Sequence, residues 1–318
     1  MSGGVIRQHQ PARPYSSLVL LWGVPEEEPL AAVHGALRAC GTETIMVDQR
    51  RALSTHLLPH STGPVLRLPD RTVPLAEVTG AYPRPYPFIP VISEGSPAHL
   101  VARRHVVRLE RELWQWTATT TATVVNRPGP AASNSTKPMQ TRVARSCGFH
   151  VPETLLTNDA DKVRAFADRQ GPIVYKAAGG TRTYTGMLDL TDTGRLERLS
   201  TCPTYFQRYI AGTNVRVHVV GAEAFAVEVI SDAIDYRQHM REMVPIILPG
   251  PVADKCQAVI KTLELLIAGI DLIRGRDGEW YFLEANPSPA FTFYPGHDQV
   301  AMAIARLLSS RPQAHNRL

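Results

Sequence analysis

No stretch of the sequence stays hydrophobic for the roughly 18 residues that a membrane-crossing helix needs, so a bilayer-spanning protein is not expected. Lysine is scarce. Of 34 basic residues only Lys137, Lys162, Lys176, Lys255 and Lys261 are lysines, so arginine supplies most of the positive charge and a lysine on a strand needs a reason. The four cysteines, Cys40, Cys147, Cys202 and Cys256, include no close pair. That fits reduced, mostly buried thiols better than a zinc knuckle or a disulfide framework. A net charge of +5 without a long basic run does not require a nucleic-acid partner, although it permits an anionic ligand. Several catalytic signatures are also missing: G-x4-G-K-[ST], G-x-G-x-x-G, G-x-S-x-G and H-E-x-x-H. His56 and His60 have the spacing of helical ligands, but Pro59 interrupts the segment.

What is present is globular. The chain has 318 residues, 44% hydrophobic and 20% charged, enough for two or three packed modules. Residues 1–14 carry arginines but lack the apolar core of an export signal, so they read as a disordered leader and the protein as cytoplasmic. Residues 17–22 predict a strand and 25–40 a helix, with a second strand at 42–48. Short strands around 64–68 and 73–78 precede the proline-cut AYPRPYPF and a long helix over 98–120. This first third is a small α/β domain. The Pro, Ser and Asn of TVVNRPGPAASNSTKPMQ (123–140) predict a boundary that neither packs nor extends a regular element. Beyond it an α+β lobe is expected: a helix after Pro138, a strand in PETLLT, a helix opened by Asn158 or Asp159, and the strand IVYK. A hairpin turning at Gly221-Ala222 follows, then a helix over 253–268, a second hairpin turning at Asp277-Gly278, and a closing helix over 298–308.

Three features carry chemistry. Lys176 ends an apolar strand and is followed by Gly179, Gly180, Thr181 and Thr183, a segment able to turn N–H groups toward phosphate while the ammonium adds a point charge. A solvated strand end is the plainer alternative. In YFLEANPSP, Glu284 and Asn286 are two apart, so on a strand both project from one face, and Asp271 on the paired strand can bring a third oxygen, a set suited to magnesium. The alternative is polar residues facing water. Arg216 stands between Val215 and Val217, so its guanidinium leaves the opposite face, either toward a phosphoryl group or carboxylate or toward solvent.

The order of these parts, namely NSTKP, VPETLLTND, IVYK with its glycine loop, FQRYIAGTNVRVHVVG, GIDLI and FLEANPSP, resembles the C-terminal two thirds of an ATP-grasp ligase over about residues 125–310. The branch it is most similar to contains the ribosomal-protein glutamate ligases and the microviridin-type peptide macrocyclases. The resemblance implies an α/β fold: a pre-ATP-grasp α/β domain over 15–124, a central ATP-grasp lobe over 125–204, a C-terminal lobe over 205–310 and a tail over 311–318. It implies that Lys137 and Lys176 hold ATP phosphates, that Gly179, Gly180 and Thr181 belong to a covering loop, and that Gln207, Arg208, Tyr209 and Ile210 form the hinge beside adenine. Asp271, Glu284 and Asn286 match magnesium ligands, Arg216 the arginine near the γ-phosphate, and Arg84 a substrate-facing arginine. Two departures, Arg208 where relatives often carry Glu and Asn214 where Asp is common, remove negative charge near the base and ribose. Asp235 and Arg237, in SDAIDYR with Asp232, suit an amine or peptide substrate and equally an exposed loop.

The expectation is therefore an ATP-dependent carboxylate-amine or carboxylate-hydroxyl ligase, using ATP with magnesium or manganese. It would act on an amino acid, peptide or protein carboxylate through an acylphosphate and release ADP and phosphate. Catalysis would rest on Lys176 and Arg216. Neither nucleic acid nor membrane is an expected partner; a homo-oligomer is compatible with the sequence. Two alternatives stay open: a non-catalytic nucleotide- or peptide-binding module, and a small-molecule kinase on the same fold.

Overall fold

The computed structural model describes residues 17–86, 97–177, 185–191 and 201–310. Gly179, Gly180, Thr181 and Thr183 lie outside them, as do the leader and the tail.

The first unit is a parallel sheet in the order β2-β1-β6-β7, from Leu18–Gly23 (β1), Glu43–Asp48 (β2), Gly80–Pro83 (β6) and Thr123–Val124 (β7). Helix α1, Glu28–Ala39, crosses from β1 to β2. Glu27 caps it, its carboxylate accepting the Leu30 N–H at 2.8 Å, with Pro29 in the first turn. A small antiparallel sheet of His56–Leu58 (β3), Val65–Arg67 (β4) and Thr72–Pro74 (β5) lies between β2 and β6. Its first strand was not expected from the sequence; His56 sits on it with its ring against His105. Helix α2, Pro97–Thr119, covers this unit through Leu109, Leu113 and Trp116.

The segment expected to be an unpacked boundary is instead structured. Thr123–Val124 completes the parallel sheet, a short helix α3 spans Pro128–Ala131, and α4 runs Lys137–Ser146. Asn126 is buried in it. Its Nδ2 donates to the carbonyls of Ile267 (2.8 Å) and Pro287 (2.6 Å), and its Oδ1 accepts from Leu266 N (2.7 Å) and Ile267 N (3.2 Å). The turn formers are held here by backbone pairing with β6 and by the four bonds of one amide, both to residues far along the chain.

A second, antiparallel sheet, β10-β9-β11-β8, holds Thr154–Thr157 (β8), Ile173–Ala177 (β9), Gly186–Met187 (β10) and Thr204–Arg208 (β11), with α5, Ala160–Gln170, on one face. Asp159 opens α5, accepting from Asp161 N and Lys162 N. β11 spans the boundary expected at 204/205 and pairs with β8 and β9.

The third sheet, β14-β13-β12-β15-β16, is built from Gly212–Val220 (β12), Glu223–Ser231 (β13), Met240–Ile246 (β14), Ile267–Gly275 (β15) and Trp280–Asn286 (β16). One face buries Val215, Val217, Leu272, Phe282 and Ala285 against α6, Gly250–Thr262. The sequence reading carried this helix to 268. It ends at Thr262, capped by Leu263, and Glu264 at φ 55 reverses the chain; Leu263 and Leu265 stay in the same core, so apolar spacing alone does not mark the end. Helix α7, His297–Ser309, returns to pack on α1 in a core shared with β1, β12 and β15.

Among the described residues no helix is long and apolar enough to cross a membrane. The cysteines are free as expected, but only Cys256 is buried. Cys40 and Cys202 are exposed and Cys147 is intermediate, because Cys40 caps the end of α1 and Cys202 lies in a connection, where no apolar face covers them.

Candidate functional site

The second and third sheets face each other across a cleft of about 990 Å³ that also reaches the N-terminal unit. Its floor is the uncovered face of the five-stranded sheet. Strand register fixes what stands there. Arg216 on β12 is opposite Asp271 on β15, which is opposite Glu284 on β16; one row on, His218 is opposite Gly269, which is opposite Asn286. Strict alternation would put Phe282 on the same face as Glu284 and Asn286. A bulge between Asp271 and Leu272 resolves the conflict. It leaves Leu283 and Glu284 both lining the cleft while Phe282 and Ala285 stay in the core, the re-aiming that a bulge performs.

Arg216 is buried, 5% exposed, so the solvent-facing alternative does not hold. Its Nη1 donates to Asp271 Oδ1 at 2.9 Å. Burial alone would lower the guanidinium pKa, but the Asp271 carboxylate raises it. Tyr236 Oη also donates to Asp271 Oδ1, at 3.0 Å, and lies 3.0 Å from Tyr294 Oη. Burial drives the Tyr236 phenol well above its usual pKa, with Asp271 pushing the same way. It is therefore a standing donor.

Lys137 and Lys176 approach Glu284 from the other side. Lys176 is on β9, 8% exposed, its ammonium 5.5 Å from the Tyr205 ring centroid. Lys137 stands at the start of α4, and one turn on Gln140 clips that helix to β16. Gln140 Nε2 donates to Ala285 O at 2.7 Å and Gln140 Oε1 accepts Ala285 N–H at 3.0 Å. Burial lowers the Lys137 pKa, Glu284 raises it, and Lys176 and Arg237 lower it again. Burial would raise the Glu284 pKa, but Lys176, Lys137, Arg237 and Arg216 together hold it below the usual carboxylate value.

Asp235 is 5% exposed and accepts the Thr185 N–H (2.9 Å) and the Arg237 Nε–H (2.7 Å). It thus ties the chain just after residues 178–184 to the 231–240 connection. Asp232 lies elsewhere, bonded to His239 and Arg241. Arg84 lines the cleft, but its Nε and Nη2 donate to Glu27 and its Nη1 to Ser288 Oγ (3.0 Å) and Pro289 O (3.3 Å). It joins the N-terminal unit to the end of β16, and little of its fork is left for a substrate. Gln207, Arg208, Tyr209 and Ile210 form one wall beside Asn214. The sequence reading missed Tyr236, Tyr294, Gln140 and Asn126; each bonds a residue far along the chain, which local pattern does not encode.

The oxygen set fits a magnesium ion shared with phosphates. The bonds from Arg216 and Tyr236 to Asp271 both fall on Oδ1, and the Glu284 carboxylate makes no hydrogen bond to a described residue. Asn286 Oδ1 accepts only Ser288 N–H, at 2.9 Å. Among the described residues no group of three or more His, Cys, Asp or Glu could hold a metal, so an ion here needs Asn286 and ligand oxygens.

No protein-family profile and no curated protein matches the sequence. Its structure is similar to that of the macrocyclase MdnC of Microcystis aeruginosa MRC bound with precursor peptide MdnA (TM-score 0.79, 23% identity, 92% of this chain and 99% of that one). It is also similar to the ATP-grasp ligase PsnB complexed with precursor peptide PsnA2 and AMPPNP (TM-score 0.74, 27% identity, 93% and 97%). This chain has the ATP-grasp fold. D-alanyl-alanine synthetase A of Vibrio cholerae shares it at 13% identity (TM-score 0.60, 93% and 99%), so the ATP-grasp likeness extends past the peptide-modifying enzymes. PsnB has also been solved with a minimal precursor, magnesium and ADP.

Proposed function

We propose that this ATP-grasp protein is an ADP-forming ligase that activates a carboxylate of a peptide and joins it to an amine or hydroxyl. One observation carries the reading: the ordered row Arg216, Asp271, Glu284 on the cleft floor faces Lys176 on the second sheet and Lys137 at the start of α4. That arrangement suits a triphosphate whose terminal group must be oriented toward a second substrate. The peptide is the favoured carboxylate carrier because MdnC and PsnB are bound to precursor peptides. Within this reading 15–124 is the pre-ATP-grasp domain, 125–204 the central lobe and 205–310 the C-terminal lobe, with β11 hydrogen-bonded into the central sheet.

In the first step the substrate carboxylate oxygen forms a bond to the γ-phosphorus as the bond to the β,γ-bridging oxygen breaks, giving an acylphosphate and ADP. In the second, the amine or hydroxyl attacks the acyl carbon, phosphate leaves, and the nucleophile loses a proton. Lys137 and Lys176 bind phosphate oxygens in ground and transition states alike. Arg216 directs its fork at the transferring group, where fixed donors in a dry cleft are worth about 3–4 kcal/mol of transition-state stabilisation. Magnesium, when held by Asp271, Glu284 and Asn286, supplies charge neutralisation for the phosphates. Arg237, oriented by Asp235, faces the same cleft and is the candidate for the peptide's carboxylate. Gln207 to Ile210 supply the base-binding wall.

The test is incubation with ATP, magnesium and candidate peptides carrying acidic and nucleophilic residues, followed by mass spectrometry and nucleotide analysis. Loss of water from the peptide in step with ADP is the expected result. AMP with pyrophosphate, or a stable gain of phosphate on the peptide, refutes it.

A further inference from the structure

One polar side chain beneath the cleft floor has no part in the mechanism above. His218 lies two residues from Arg216 on the same face of β12 and is 1% exposed. It is enclosed by the Tyr294 and Phe291 rings, edge-on with centroids at 4.9 and 6.3 Å. A phenylalanine or leucine would fill such a place without leaving a polar atom to satisfy.

The reason for an imidazole lies next door. Arg216 Nε donates to His218 Nε2 at 3.4 Å, while Nη1 donates to Asp271. Opposite His218 stands Gly269, where any Cβ would fall inside the Arg216 guanidinium. The Tyr294 ring flanks the group, 5.9 Å from the guanidinium carbon. A planar fork held on one edge alone can swing about that contact. Held on a second edge, it has one orientation. Only a neutral imidazole with Nε2 free of a proton can accept there, and burial together with the Arg216 charge lowers the His218 pKa well below its usual value.

We propose that His218 is a positioning residue for Arg216: by accepting the Arg216 Nε–H it fixes the direction in which the guanidinium faces the γ-phosphoryl group. This rests on the γ-phosphoryl role given to Arg216 above, and the experiment separates the two. The full-length parent and the variants His218→Phe, His218→Gln, His218→Asn and Arg216→Met are titrated calorimetrically with AMPPNP and with ADP, each with magnesium, and thermal midpoints are recorded. Arg216→Met should weaken AMPPNP about tenfold, equivalent to about 1.4 kcal/mol, with ADP within about twofold. His218→Phe should reproduce that loss selectively for AMPPNP at a midpoint near the parent's. His218→Gln, whose amide oxygen reaches the place of Nε2, should restore the parent's AMPPNP-to-ADP ratio, and the shorter Asn should not. If Arg216→Met shifts the ratio and His218→Phe does not, His218 only packs and the inference fails while the role of Arg216 stands. If Arg216→Met leaves the ratio unchanged, that role fails and the inference with it. If the Phe variant does not fold, the Gln and Asn variants decide, and equal AMPPNP affinities for them overturn the proposal.

Discussion

Asn126 offers a test of the architecture that needs no substrate. Its side chain makes four hydrogen bonds to backbone groups at the ends of the strands that carry the candidate metal ligands: Leu266 precedes β15, Ile267 opens it, and Pro287 directly follows Asn286. Asn126→Ala leaves those groups without their partner in a buried place, and each orphaned group costs about 1–3 kcal/mol. Some recover through water or relaxation, so a net loss of about 3–5 kcal/mol is expected, or on the order of 4–8 °C in thermal midpoint for a chain of this size. Asn126→Asp is nearly isosteric and keeps both accepted bonds. It also sets a carboxylate oxygen against the Ile267 and Pro287 carbonyls, and should cost as much at neutral pH and less in acid, where a protonated oxygen can donate. Denaturant titration and calorimetry on both variants measure this. An Ala variant within about 1 kcal/mol of the parent would refute the assignment of Asn126 as the tie between the end of the first sheet and strands β15 and β16.

Lys176→Met should weaken ATP binding, whereas Glu284→Gln with Asn286→Ala should retain much of the binding and abolish turnover, because metal ligands act chiefly on charge that develops during transfer; a double variant within a few-fold of the parent's rate would move the metal face elsewhere. Arg216→Lys should keep the fold and lose about 2–4 kcal/mol of transition-state stabilisation, read from substrate-dependent ADP release; unchanged release would remove Arg216 from the chemistry. Burial would raise the Asp235 pKa, but Arg237 and the Thr185 N–H hold it below the usual value. Its folded pKa is therefore below the unfolded one, so its stabilisation is present above about pH 4 and is lost as pH falls through the folded pKa; below pH 4 the parent's thermal midpoint should fall more steeply than that of Asp235→Asn. Thiol labelling of the folded protein should modify Cys40 and Cys202 and spare Cys256, which is buried with its pKa pushed up to about 12; prompt labelling of Cys256 would contradict the packing of α6.

The sequence was readable where chemistry follows chain order. Gly221 and Gly278 turn their hairpins at positive φ, and Asp159 caps its helix, because turn and cap preferences are local. The shared face of Glu284 and Asn286 was readable for the same reason. What could not be read depends on partners far along the chain. Edge strand β14, whose residues are mostly exposed, has little apolar alternation to announce it. The resemblance makes Arg84 a substrate-facing arginine, and no local pattern announces the bond to Glu27, 57 residues away.

The floor of the cleft shows why the remaining information is three-dimensional. Counting by twos along β16 puts Phe282 beside Glu284, a pairing that would set a phenyl ring on the charged cleft floor and a hole in the core. The bulge cancels it, and nothing in the string YFLEAN specifies a bulge: it arises because β15 presents Asp271 to Glu284 and Leu272 to Phe282 at once. Likewise Gly269 reads in GIDLI as an unremarkable small residue, and only the register with His218 shows that its missing side chain is the space Arg216 occupies. Gly269→Ala should therefore displace the guanidinium from Asp271 with little effect on strand pairing. The row of charge on the floor is thus set as much by a residue that adds no atoms as by those that carry the charge.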